Sequence, residues 1–391
     1  MTGPLCPDLC EQNIIHPGKC FSTVTEKIVY DGEWGGIQVI LKMNMDWFNH
    51  FGEKQEVTDN DILSSFQYYV SSRVESLFGD CSECDKLTSH LMQLGDSNSD
   101  GVITATEVRT FVSLLNLIEP VMLITLNDSK HTVDFYGYCG GLYVVEKVPF
   151  IASQVFGEKW QLKDLSLFPD ALEPLEETAR NIAVKIANAA FSIPYISTIL
   201  SDTVAFIKYL IFTTFFQSHA PSESEKFRFL YSVLDATLDL SSNPYNGMLQ
   251  SCDMHLGNYG FTNNSVVKVI DFDQTYPVAF LSALLQQIHC SSDDDCWKGT
   301  KEDCQSSCDT ATGACTSAIQ RQDLINICVA HIPTVLQHPG QNSTCLKKAV
   351  GRLVGFCRTL PVIESIQQLR EAIHAVKGRL KYIESSCSQI C

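Results

Sequence analysis

Positive charge is scarce in this chain. Across 391 residues, 28 lysines and arginines face 45 aspartates and glutamates, a formal net charge of −17. That balance argues against nucleic acid or an anionic membrane as a main partner and suits a calcium-rich compartment. Long charge-free apolar runs are missing too. The most apolar stretch, TVAFIKYLIFTTFF at 203–216, is short for a membrane span and carries Lys208, so it reads as a buried helix. No cleavable signal sequence opens the chain, and membrane attachment would need an anchor outside this sequence. Low-complexity segments are few. Zinc units are lacking: there is no clean pair of C-x2-C units and no C-x2-C with H-x3-H.

What the chain does have is apolar content of 45%, enough for a large core, and 17 cysteines. So many cysteines point to disulfides formed in an oxidising lumen. The odd count leaves at least one thiol free or intermolecular, and Cys139 and Cys252 are the candidates, unless they pair with each other. Three N-x-[ST] sequons, at Asn127, Asn263 and Asn342, are compatible with a glycoprotein.

The most informative segments are SCDMHLGNYGF, beginning at Ser251, and VIDFDQ, beginning at Val269. An aspartate five residues before an asparagine, then a strand ending in Asp-Phe-Asp, is the skeleton of a protein-kinase catalytic site. Phosphoryl transfer needs in-line positioning and cations on the phosphate oxygens more than covalent help. One carboxylate must face the incoming hydroxyl, while another carboxylate and an amide hold metal. Asp253 is therefore the expected base, and Asn258 and Asp271 the expected Mg2+ or Mn2+ ligands, with Asp273 adding a carboxylate beside them. GFTNNSVVKVI between the two segments reads as a hairpin around an Asn-Asn-Ser turn.

Other kinase parts follow in order. Ser222 and Glu225 form a capping box before a helix with Phe227, Leu230, Leu234 and Leu238 on one stripe. HTVDFYGYCGGLYVVEKVP, from His131 to Pro149, reads as two strands around a Cys-Gly-Gly turn, ending in a hinge at Glu146 to Val148 whose backbone would contact adenine. KIVYDGEWGGIQVILKM, from Lys27 to Met43, is a hairpin ending in Lys42, which matches the lysine of V-A-I-K that pairs with nucleotide phosphates and a helix glutamate. Glu119 is the preferred glutamate partner and Glu75 the rival. Pro120 directly after Glu119 is awkward for a helix interior.

DSNSDGVITATE, Asp96 to Glu107, fits D-x-[DN]-x-[DN]-G-x5-E at every defined position. Asp96, Asn98 and Asp100 offer side-chain oxygens to Ca2+, Val102 its carbonyl and Glu107 a bidentate carboxylate, while Gly101 permits the sharp turn. Apolar stripes on both sides predict flanking helices, an EF-hand over about 84–116. Only one such loop is visible, and single extracellular sites are weak, roughly 10⁻⁴ to 10⁻³ M.

Kinase motifs, an internal calcium hand and a cysteine-rich tail together resemble the divergent protein kinase domain 1 family, also called family with sequence similarity 69. The resemblance runs from the Lys42 strand to the C-terminal cysteines. It implies an α+β, two-lobed kinase-like fold in a secretory-pathway protein held in the endoplasmic reticulum by an N-terminal anchor. Residues 1–26 then form a cysteine-containing segment, 27–148 an N-lobe with the EF-hand inserted, and 149–391 a C-lobe with a cysteine-rich insertion at about 290–328. The chain departs from ordinary kinases in four places. Ser251 and Cys252 replace the His-Arg of the catalytic loop, and Asp273 replaces the glycine of D-F-G. No A-P-E segment follows. No G-x-G-x-x-G is present either, and the acidic Asp31–Gly36 segment stands where a phosphate-covering loop is sought. The expected activity is an ATP-dependent kinase acting on a hydroxyl of a lumenal protein or glycan in the endoplasmic reticulum or Golgi, or after secretion. A calcium-binding pseudokinase scaffold is the alternative, and an enzyme transferring another part of ATP a third reading.

Overall fold

The computed structural model describes residues 2–24, 27–44, 62–156, 221–245, 247–299, 303–337 and 344–387. The apolar run at 203–216 and the sequon at Asn342 lie outside them. Five antiparallel strands form the first sheet: β1 (Ile15–Val24), β2 (Lys27–Trp34), β3 (Ile37–Asn44), β4 (Phe135–Cys139) and β5 (Leu142–Glu146), in the order β1-β2-β3-β5-β4. The sheet thus starts upstream of residue 27, where the sequence suggested a separate segment. Pro17 and Gly18 lie within β1, and its register slips between Pro17 and Cys20. That irregularity hides the period-two pattern a strand normally shows.

The position of the β2–β3 turn corrects another expectation. Asp31 to Trp34 are strand residues, and Gly35 and Gly36 form a tight hairpin with φ of 57° and 91°. Both values lie where glycine is favoured, as a two-residue hairpin requires. Lys42 pairs with Val29 and Lys27 with Asn44, so the opposite end of the hairpin approaches the cleft. The Asp31–Gly36 segment therefore lies at the far end of the hairpin from Lys42 and Lys27.

Between β3 and β4 lie α1 (Ile62–Phe78), α2 (Cys84–Gly95), α3 (Ala105–Leu115) and α4 (Ile118–Thr125). Their inward residues, including Phe66, Leu91, Phe111 and Met122, share one core with Tyr138 and Tyr143 of the sheet and Phe272 beside Asp271. A one-sided stripe of this kind is what drives a helix onto a sheet. The second core gathers α5 (Ala152–Phe156), α6 (Glu223–Ser241), α8 (Asp323–Asn326), α9 (Ile332–Leu336), α10 (Thr344–Cys357) and α11 (Ile366–Cys387) around short strands that begin with β6 (Phe150–Ile151), while α7 (Val278–Gln286) packs in a third cluster with Cys252, Tyr276 and Cys304. Ser222 caps α6 as expected, its hydroxyl accepting from the Glu225 N–H while the Glu225 carboxylate accepts from Ser222. Among the described residues no single helix is long and apolar enough to cross a membrane.

Six disulfides are present among the described residues. Cys6–Cys139 ties the N-terminus to β4, Cys81–Cys84 closes the α1–α2 corner, and Cys328–Cys357 clamps α10. Cys252–Cys304, Cys290–Cys308 and Cys296–Cys315 organise the cysteine-rich segment. Neither Cys139 nor Cys252 is the odd thiol, nor do they bond to each other. Their partners lie 133 and 52 residues away in sequence, a separation no local spacing reveals. Cys10 and Cys20 are thiols.

Candidate active site

Lys42 leaves β3 on its buried face and donates to Glu119 Oε1 at 2.5 Å and to the carbonyl of Ile270 at 2.6 Å. Glu119 is fully buried on α4. Pro120 is harmless there because α4 begins at Ile118, and in a first turn the missing N–H has no intrahelical partner to lose. Glu75 lies on α1 and takes no part. Burial alone would raise the Glu119 pKa, but the Lys27 and Lys42 ammoniums hold it well below the usual carboxylate range. Tyr143 of β5 donates its hydroxyl to Glu119 Oε2, and burial beside that carboxylate raises the phenol pKa well above normal.

The second wall is the loop after β7 (Leu249–Ser251). Asn258 donates through Nδ2 to the Asp253 carbonyl at 2.7 Å, which closes the loop on itself. His255 Nδ1 accepts from the Gly257 N–H, while its Nε2 stands 3.5 Å from Asp253 Oδ2. Strands β8 (Tyr259–Phe261) and β9 (Val267–Val269) form the expected hairpin and deliver Asp271. Asp253, Asn258 and Asp271 line one cavity with Met254, Phe272 and Thr237. The carboxylate oxygens of Glu119, Asp271 and Asp273 lie within 4.8 Å of one another. Asp273 is pushed up to about 7 by burial and by Glu119, against the pull of Lys27.

Every predicted kinase-site residue falls within a described segment. Asp253 and Asn258 share a cavity with Asp271, and Lys42, Glu119 and Asp273 are joined to Asp271 through Lys27 and the Ile270 carbonyl, two sets that meet at Asp271 to form the cleft. At the expected hinge, the Glu146 carboxylate is turned to Lys268 and to the Asp134 N–H, and Val148 is buried against Gly260.

A family model described as the protein-kinase domain of FAM69 matches residues 111–360, and one described as N-terminal cysteine-rich ER, FAM69 matches residues 1–78. The chain belongs to the FAM69 family. The two matched segments of this FAM69 chain divide the cleft between them: Lys42 lies in the first, and Glu119, Asp253, Asn258, Asp271 and Asp273 in the second.

Residues 79–110, between the segments, hold the helix-loop-helix. Gly101 makes its turn at φ 80°, and Asp96 accepts from the N–H groups of Asp100 and Gly101. Glu107 serves as the acid of a capping box on α3, accepting from Ser97 and Thr104, and those bonds hold its pKa below normal against the effect of burial. The loop acids Asp96, Asp100 and Glu107 do not gather as closely as the cleft trio does.

Several groups at the FAM69 site escaped sequence reasoning. Asp323, at the start of α8, accepts the Ser251 N–H on both carboxylate oxygens, at 3.0 and 3.2 Å. Burial pushes its pKa well up. Asp303 accepts the Met254 N–H at 2.7 Å, next to the Cys252–Cys304 disulfide. The loop bearing Asp253 is thus pinned on both sides of that residue. Lys27 is the third omission. Its ammonium stands 2.7 Å from Glu119 Oε2, 3.0 Å from Asp271 Oδ1 and 2.7 Å from Asp273 Oδ2. As the first residue of a strand it carries no motif. The zinc alternative for the cysteine cluster falls, because Cys290, Cys296 and Cys308 are all disulfide-bonded.

Proposed function

We propose that this chain is a divergent kinase of the secretory pathway, using ATP with Mg2+ or Mn2+ to phosphorylate a hydroxyl on a lumenal protein or glycan. The observation that carries the reading is the meeting of Lys42, Glu119 and the Ile270 carbonyl directly beside Asp271. A scaffold has no physical need for this set together with Asp253 and Asn258.

The residues fit a hard cation. Carboxylates at Asp271 and Asp273 are oxygen donors of the kind Mg2+ and Mn2+ prefer, and Asn258 uses its Nδ2 internally, which leaves its carbonyl oxygen for metal. A bound cation would neutralise charge on the transferring phosphoryl group. Lys42, fixed by Glu119, would contact nucleotide phosphates, and backbone at Glu146 to Val148 would meet adenine. Asp253, on the open side of the loop, would accept the substrate hydroxyl's proton. Its orientation is held by the Asp303, Asp323 and Cys304 contacts.

Calcium in the Asp96–Glu107 loop, with Asn98, Asp100 and the Val102 carbonyl as further ligands, would stabilise or regulate the small lobe. The route is short. Glu107 sits in the first turn of α3, and only Asn116 and Leu117 separate α3 from α4, which carries Glu119. Arg73 pins that corner by donating to the Leu115 and Asn116 carbonyls. A metal-driven change in Glu107 would therefore reach the Lys42 pair through two helices.

The deciding experiment is thermal unfolding with ATP and Mg2+ or Mn2+, with and without Ca2+. Stabilisation that needs both nucleotide and metal, and that Asp271→Ala removes, supports the enzyme. Indifference to nucleotide supports a calcium-binding pseudokinase scaffold. The observation favouring that second reading is Lys27, whose ammonium is already paired with all three carboxylates.

A further inference from the structure

The kinase roles above give Lys27 none, yet it is the most thoroughly paired cation in the cleft. Three carboxylates surround its ammonium at 2.7 to 3.0 Å, and its side chain is 13% exposed. An ammonium has three donors, so Glu119, Asp271 and Asp273 satisfy it completely. Glu119 is shared, with Oε1 on Lys42 and Oε2 on Lys27. The lysine is the first residue of β2 and pairs with Asn44 at the end of β3.

Lys27 holds one oxygen of each aspartate, Asp271 Oδ1 and Asp273 Oδ2, so its ammonium lies between the two carboxylates that a divalent cation would bridge. Two cations drawn to the same pair of carboxylates repel at contact distance, so metal binding displaces the ammonium. Once expelled, a largely buried ammonium needs another anion, because leaving it unpaired is costly. Nucleotide phosphates are the anion available in this cleft. Resting on the kinase reading, we propose that Lys27 is a further nucleotide-binding residue which holds the metal site closed. It makes metal and nucleotide bind together, its ammonium passing from the carboxylates to the phosphates. Binding free energies of two ligands are reciprocal, so the same lysine sets how much Mn2+ tightens nucleotide and how much nucleotide tightens Mn2+.

The test measures Mn2+ affinity of the full chain by electron paramagnetic resonance, with and without ADP. Asp271→Ala supplies the background from metal bound at the calcium loop. In the wild type, ADP should tighten cleft Mn2+ at least tenfold. Lys27→Met should bind Mn2+ alone at least tenfold more tightly than wild type, and its dependence on ADP should fall below threefold. Lys27→Arg, which keeps the charge, should retain the coupling. If the methionine variant does not fold, Lys27→Gln serves the same comparison. Wild-type Mn2+ affinity and ADP dependence in a folded Lys27→Met or Lys27→Gln protein would overturn the proposal while leaving the kinase reading intact. If neither wild type nor variant shows Mn2+ binding above the Asp271→Ala background, with or without ADP, the metal-ligand assignment itself fails and this proposal with it.

Discussion

The two walls of the cleft are built on different physical principles. On the sheet side, Lys42, Lys27 and Glu119 are held by charge and Tyr143 by a hydrogen bond, all noncovalently. On the loop side, Asp253 is flanked by a disulfide, by hydrogen bonds to two aspartates and by a closed Asn258 contact. A charged cluster rearranges when another ion arrives. A cross-linked loop does not. The contrast implies that the sheet side responds to ligands while the loop side keeps the expected base in place. It also explains how a chain without the catalytic-loop His-Arg can fix that loop: Cys252 stands at the arginine position and is bonded to Cys304.

The largest expected effect breaks the charged wall. Glu119→Ala leaves the Lys42 ammonium buried without its carboxylate, while Lys27 keeps Asp271 and Asp273, so stability should fall by about 3–5 kcal/mol, and chemical denaturation reads the loss. Removing the covalent wall comes next. A Cys252→Ser, Cys304→Ser double variant should lose about 2–4 kcal/mol and should lower turnover while metal-nucleotide binding survives. If nucleotide binding collapses along with turnover, the walls are not independent.

A smaller effect sharpens the loop side through pH. Burial lowers the pKa of His331, which packs on Tyr259 beside the loop, from 6.5 to about 4. The unfolded chain then binds more protons between those values, so this residue's contribution is present above pH 6.5 and is lost as pH falls towards 4. At pH 5 the loss is about 2 kcal/mol. His331→Gln should unfold with a correspondingly flatter pH dependence between 7 and 5 than the wild type, and equal slopes would refute the assignment. The smallest effect is calcium stabilisation. At ten times its dissociation constant a single site adds about 1.4 kcal/mol, visible as a shift in unfolding midpoint that Glu107→Gln should abolish.

Much of this cleft was legible because kinase chemistry forces fixed intervals. Asp253, Asn258 and Asp271 sit on one short loop and one hairpin, and a capping box announces α6. The sequence favours Glu119 over Glu75 because the apolar register after it runs directly into the β4–β5 hairpin. What stayed hidden depends on distance in sequence rather than on pattern. Lys27 meets residues 92, 244 and 246 positions away. Asp303 and Asp323 act on the backbone of a distant loop. The same holds for the disulfide partners of Cys139 and Cys252. β1 escaped for a local reason, since Pro17 and Gly18 disguise it.

Phosphate transfer from ATP labelled at the γ position, comparing wild type with Asp253→Asn, tests the catalytic claim most directly. The asparagine cannot take a proton but keeps the loop's shape, so ATP and Mn2+ should bind as before while transfer falls by a factor of about 10² or more. Equal transfer by the two proteins would contradict the account, and so would a wild type that binds nucleotide yet leaves every phosphate in place.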